Sequence, residues 1–119
     1  INCALGLAQI RNLRKILKMK RNNYYIYKVL FKNFSFFKLF TEPKNSKSNY
    51  WLQTIILNSP DLKIRNKILN LTNNNRISTR PVWQLLSSIK YLKGCPKMNL
   101  KNSIRLEKRI INIPSSPDI

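Results

Sequence analysis

The sequence predicts an α+β domain in which a small sheet is covered by helices on one face. Three observations lead there. Residues 2–32 place apolar side chains at three- and four-residue steps, the spacing of one helical face. Residues 50–57 (YWLQTIIL) are aromatic and β-branched and are bounded by polar turns, which marks a strand. Helical and extended segments then alternate through a chain of only 119 residues, room for one small core.

In the first segment Ile10, Leu13, Leu17, Tyr24, Tyr27 and Phe31 share the apolar face, while Arg11, Arg14, Lys18 and Arg21 fall largely off it. Gly6 and Ala8 leave room for a neighbouring backbone. The run Tyr24-Tyr25-Ile26-Tyr27 reads as core packing in preference to a base-stacking platform. Phe34, Phe36, Phe37 and Phe40 form an aromatic stretch, extended or loop, and residues 41–49 are a polar surface connection containing Pro43. After the strand, Ser59-Pro60-Asp61 starts a helix. Ser59 is the expected cap, Pro60 sits where its missing N–H is harmless, and Asp61 meets the positive helix end. Ile64, Ile68 and Leu71 line that helix until Asn73-Asn74-Asn75 ends it. Ile77–Val82 reads as a second strand, confined by Pro81 to an edge. Gln84–Leu92 is expected to be a short helix, Gly94-Cys95-Pro96 a turn and Asn102–Ile111 a last amphipathic helix. Ile111-Asn112-Ile113 is short and extended, and Pro114-Ser115-Ser116-Pro117 is a rigid loop.

Lys and Arg number 23 against 4 Asp and Glu, a formal charge of +19, with no His and 2 Cys. That balance invites a nucleic-acid reading. Yet 15 Lys rise together with 16 Asn and 15 Ile, residues that share A/T-rich codons, and no block of like charges forms. Codon drift on a solvated surface accounts for this better than a specific polyanion site. A small basic nucleic-acid-binding protein of ribosomal type stays as the alternative. A peripheral module laying the basic helix Arg11–Arg21 on anionic lipid is a third reading. No apolar run approaches the roughly 20 residues of a membrane helix. Nothing at the start reads as a secretory signal, so a cytoplasmic location without membrane partners is expected. Cys3 and Cys95 lie far apart, which favours two reduced, partly buried thiols over a disulfide. Without His, a zinc site lacks ligands and the commonest general base is missing; no metal site is expected.

The carboxylates Glu42, Asp61, Glu107 and Asp118 form no acid–base pair, and two glycines make no phosphate loop. One segment stands out. Ser78-Thr79-Arg80-Pro81-Val82-Trp83 places an Arg, two hydroxyls and an indole at a strand end. Arg80 offers a fork matched to phosphate or carboxylate, and Trp83 a flat surface for a base or sugar ring. Taken alone, an Arg pairing within the fold and a Trp in the core are the simpler account of both.

Four stretches carry a wider resemblance. Residues 2–10 (NCALGLAQI) begin a helix that continues through Lys20-Arg21 to Tyr24; Asn49-Tyr50-Trp51-Leu52 starts the strand. Asn75–Trp83 (NRISTRPVW) and Arg109–Ser116 (RIINIPSS) follow in order. Together they resemble the DegT/StrS family of sugar-nucleotide aminotransferases, in the subgroup serving bacillosamine and legionaminic acid synthesis. The resemblance implies the small C-terminal domain of a fold-type I enzyme. Residues 1–33 would be a long connecting helix from a large pyridoxal phosphate domain before Ile1. Residues 34–119 would be the small α+β domain, itself lacking a final helix. It further implies a homodimeric parent that transfers an amino group from glutamate to a nucleotide-linked 4-keto sugar for surface glycans. The Schiff-base lysine would lie in the large domain, so this chain would hold no catalytic residue, bind no cofactor and be inactive alone. Arg80 and Trp83 would border the sugar-nucleotide pocket. Arg76 stands where the family has Gly after the helix, a position favouring positive φ.

Overall fold

The computed structural model describes residues 1–118. Helix α1 (Asn2–Leu30) leads into β1 (Phe37–Leu39) and β2 (Gln53–Leu57), followed by α2 (Leu62–Asn74), β3 (Arg80–Pro81), α3 (Lys101–Glu107) and β4 (Ile110–Ile113). Two 3-10 turns, Leu86–Ser88 and Lys90–Leu92, lie between β3 and α3. The strands pair antiparallel in the order β1-β2-β4-β3. Strand alternation turns Gln53, Ile55 and Leu57 to the buried face. The register Ile55↔Ile111 and Gln53↔Ile113 sets Ile111 and Ile113 beside them, and Phe37 lies opposite Leu57. Phe37, Ile55, Leu57, Ile111 and Ile113 therefore form the core. Tyr27 of α1, Phe31 at its C-cap, and Ile68 and Leu69 of α2 close it, so both helices cover the same face as the sequence leads one to expect.

Helix α1 is packed over half its length. Tyr24 is buried and Tyr27 and Phe31 are partly so, but Ile10, Leu13 and Leu17 on the same face are 67%, 46% and 37% exposed. Nothing lies within 4 Å of a Cβ built on Gly6. Tyr25 and Ile26 also face outward, so core packing holds for Tyr24 and Tyr27 alone in that run. Among the described residues no helix is long and apolar enough to cross a membrane.

Several local expectations are corrected. Asp61, not Ser59, caps α2: it is extended (φ −113°, ψ 111°) and its carboxylate accepts from the N–H groups of Lys63 and Ile64. The second strand shrinks from residues 77–82 to Arg80–Pro81, because Thr79 is tied to the end of α2. Residues 84–92 form 3-10 turns in place of a helix. Helix α3 stops at Glu107, not Ile111. The Leu57 N–H bonds the Arg109 carbonyl at 2.9 Å, and Ile110 and Ile111 are taken by the sheet. Cys3 and Cys95 are both exposed, where partial burial was expected, and are not bonded to each other.

At the end of α2 the N–H of Arg76 bonds the Asn73 carbonyl (3.0 Å) and that of Ile77 bonds the Thr72 carbonyl (2.9 Å). This is the paired closure of a Schellman motif, and it holds Arg76 at φ 61°. A side chain there costs roughly 1–2 kcal/mol, partly offset by the extra chain entropy that Gly would lose. Arg76→Gly is expected to stabilise the fold by about 0.5–1 kcal/mol. A urea midpoint that stays put or falls would contradict the left-handed closure.

Candidate functional site

The register of the sheet builds the site from the face opposite the core. Thr54 pairs with Asn112, and Asn112 with Arg80, so the three side chains line up across β2, β4 and β3. The Thr54 hydroxyl donates to Asn112 Oδ1 at 3.0 Å. Beyond the strand ends the indoles of Trp51 and Trp83 stack, with ring centroids 5.9 Å apart and planes 29° from parallel. They are 63% and 65% exposed. Trp83 is thus a surface residue, and the core account of it fails. Arg80 is also exposed and has no hydrogen-bonding partner among the described residues, which leaves its fork free.

Trp51, Trp83 and Arg80 line an open cleft of about 550 Å³ together with Lys20, Ser78 and the segment Asn112–Pro117, while Thr54 supports Asn112 from outside the lining. Among the described residues its charged lining is Lys20 and Arg80, with no carboxylate side chain. Two cations, several hydroxyl and amide groups and two flat indoles suit an anionic ligand that carries a ring. Among the described residues no cluster of Cys, Asp and Glu could hold a metal ion.

The arm carrying Trp51 is turned by its own side chains. Ser48 Oγ accepts from the Tyr50 N–H and Asn49 Oδ1 from the Trp51 N–H, both at 3.0 Å. Tyr50 takes φ 47°, so its ring goes inward and Trp51 outward. The Tyr50 ring stacks on Tyr24 at 4.4 Å and lies 5.1 Å from the Arg21 guanidinium. Arg21 forks onto Glu42 (2.8 and 3.3 Å) and donates to the Ser48 carbonyl at 2.8 Å, while the Ser48 N–H returns to Glu42 Oε2 at 2.6 Å. Hydrogen bonds from Arg21, then from the Ser48 backbone, hold the Glu42 carboxyl below the usual carboxylate range. A lowered acid contributes its stabilisation in full above its unfolded pKa and loses it as pH falls through the lowered value. The Tyr50 hydroxyl is buried without a partner, and burial pushes its pKa up to about 12.

Sequence reasoning assigned Arg80 and Trp83, and the structure brings both into the cleft. It missed Lys20, Trp51, Asn112 and Ser115. The only available signal was their place in the Lys20-Arg21, Asn49–Leu52 and Arg109–Ser116 stretches.

Comparison with known proteins identifies the family and the fold. Residues 1–119 match the DegT/DnrJ/EryC1/StrS aminotransferase family. The chain belongs to that family. GDP-perosamine synthase of Vibrio cholerae is 29% identical over 119 residues, 98% of this chain and 32% of that protein. Among solved structures, PseC of Helicobacter pylori, an aminotransferase involved in the biosynthesis of pseudoaminic acid, superposes with a TM-score of 0.86. Its identity is 18%, over 97% of this chain and 31% of PseC. DesI, determined in the presence of its TDP-sugar product, gives a TM-score of 0.87 at 16% identity, over 98% of this chain and 30% of DesI. These superpositions show the fold. The family member described here therefore spans about a third of the length of the relatives it matches.

Proposed function

We propose that the chain is the small-domain portion of a pyridoxal-phosphate-dependent aminotransferase. It would move an amino group from glutamate to a nucleotide-linked 4-keto sugar, in the bacillosamine and legionaminic acid subgroup, within a cytoplasmic homodimer. Residues 1–33 connect to the large domain and residues 34–119 form the small one. Family membership supports the reaction class, and the four-motif resemblance supports the subgroup. The observation carrying the site is the cleft itself, in which Arg80 stands unpaired beside the Trp51–Trp83 stack.

Pyridoxal phosphate supplies an electron sink, and it needs an amine for the Schiff base and an acid facing its ring nitrogen. The cleft does not fit that group: among the described residues it holds one lysine and no carboxylate, and Lys20 already donates to two carbonyls. The cofactor belongs with the rest of the protein, and the role proposed for this chain is substrate binding. Arg80 would hold the diphosphate through its fork, and Trp83 would pack against a ring of the sugar nucleotide.

The test is titration of the whole enzyme with a panel of nucleoside-diphosphate hexoses. A charge-assisted bond contributes about 1.5–3 kcal/mol, so Arg80→Met should weaken binding roughly 10–100-fold. Trp83→Ala should weaken it as well. Unchanged affinity in both variants would refute the assignment. Steeply salt-dependent, site-selective binding of RNA would point to the basic nucleic-acid reading instead.

A further inference from the structure

We infer that Lys20 and Arg21, adjacent on α1, are a double clamp that sets Trp51 against Trp83 and so gives the cleft its shape. The assignment of the cleft to a sugar nucleotide rests on the reading above; the clamp does not. Lys20 Nζ donates to the Trp51 carbonyl at 3.2 Å and to the Ser115 carbonyl at 2.5 Å. One ammonium therefore fastens the start of β2 to the segment after β4, the two walls flanking the indole stack. The node is braced from behind: the Gln53 amide donates to the Lys20 carbonyl at 3.0 Å, and the Gln53 N–H donates to Ser115 Oγ at 2.7 Å. Gln53 is buried, so these bonds act away from competing water.

Arg21 grips the other side of the same arm. Its contacts to Glu42, the Ser48 carbonyl and the Tyr50 ring hold both ends of residues 42–50. The left-handed turn at Tyr50 that faces Trp51 outward is an unfavourable conformation for an aromatic residue, so it needs such external support. Neither basic residue is required to touch a ligand. Both act through Trp51, and they are positioning residues.

The chain reports on this directly, because its 2 tryptophans are the stacked pair. Stacked indoles couple their electronic transitions. The far-ultraviolet circular dichroism of the ligand-free chain should therefore exceed what its Trp51→Phe and Trp83→Phe variants jointly account for. Lys20→Met and Arg21→Met are each expected to abolish most of that coupled signal. Their amide I infrared band should remain unchanged, and Lys18→Met should keep the signal. Retention of the coupled signal in both variants, or its absence from the parent chain, would overturn the clamp. If either methionine variant loses its infrared helix signature, Glu42→Gln decides: it preserves shape and removes the ion pair. Loss of coupling with an intact fold supports the clamp, and retention overturns it.

Discussion

Ile111→Ala is expected to lower stability by about 2–5 kcal/mol, the largest effect of any single truncation in the chain. Ile111 is 0% exposed and sits in β4, one of the two inner strands, opposite Ile55 on β2 and Pro81 on β3. A cavity there touches both helices through the shared core, and in a domain this small little else is fully buried. Total stability of such domains is about 5–15 kcal/mol, so the variant should be close to unfolding at room temperature. Ile111→Val removes one methyl and should cost only about 0.5–1.5 kcal/mol. Equilibrium urea unfolding checks both. Similar midpoints for parent chain and alanine variant would mean that Ile111 is not packed in the core.

Asn73→Ala should follow, at about 2–3 kcal/mol. The Asn73 amide donates to the Leu69 carbonyl (2.7 Å), the Thr79 carbonyl (3.0 Å) and Thr79 Oγ1 (3.1 Å), and its oxygen accepts from the Thr79 N–H at 3.3 Å. Thr79 is buried, so truncation leaves its backbone without partners away from water. The effect reaches the site as well, since Thr79 directly precedes Arg80. Amide exchange at Thr79 should accelerate by more than at Ile55, which lies across the sheet. Equal acceleration at both would show that Asn73 acts only on global stability.

Much of the architecture is legible in periodicity. The 3–4 spacing of α1 survives almost whole, whereas the strand expected over residues 50–57 survives only as Gln53–Leu57, because Tyr50 turns left-handed. The boundaries that moved are those set by distant partners. Ser59 and Asp61 are both good caps, and only the extended backbone at Asp61 decides between them. Helical spacing runs past Glu107, but pairing with β2 takes Ile110 and Ile111 into the sheet. Tyr50 reads as a strand residue, since nothing nearby announces that Arg21 and Glu42 will support a left-handed turn there. The chemistry of Arg80 and Trp83 singles out their segment, but their assignment to a binding role comes from the family resemblance. Their exposure was not readable, because it follows from where a two-residue edge strand ends.

The half-packed first helix has a mechanical consequence. Everything that anchors it lies from Lys20 onward, and residues 2–19 project beyond that point as about 27 Å of rigid rod. Such a rod is a lever with its fulcrum at the cleft. A tilt of about 5° at Lys20 displaces the tip by roughly 2 Å, because a helix of this rise transmits rotation without bending much. Whatever seats on Ile10, Leu13 and Leu17 is thereby coupled in position to the walls that hold the two indoles.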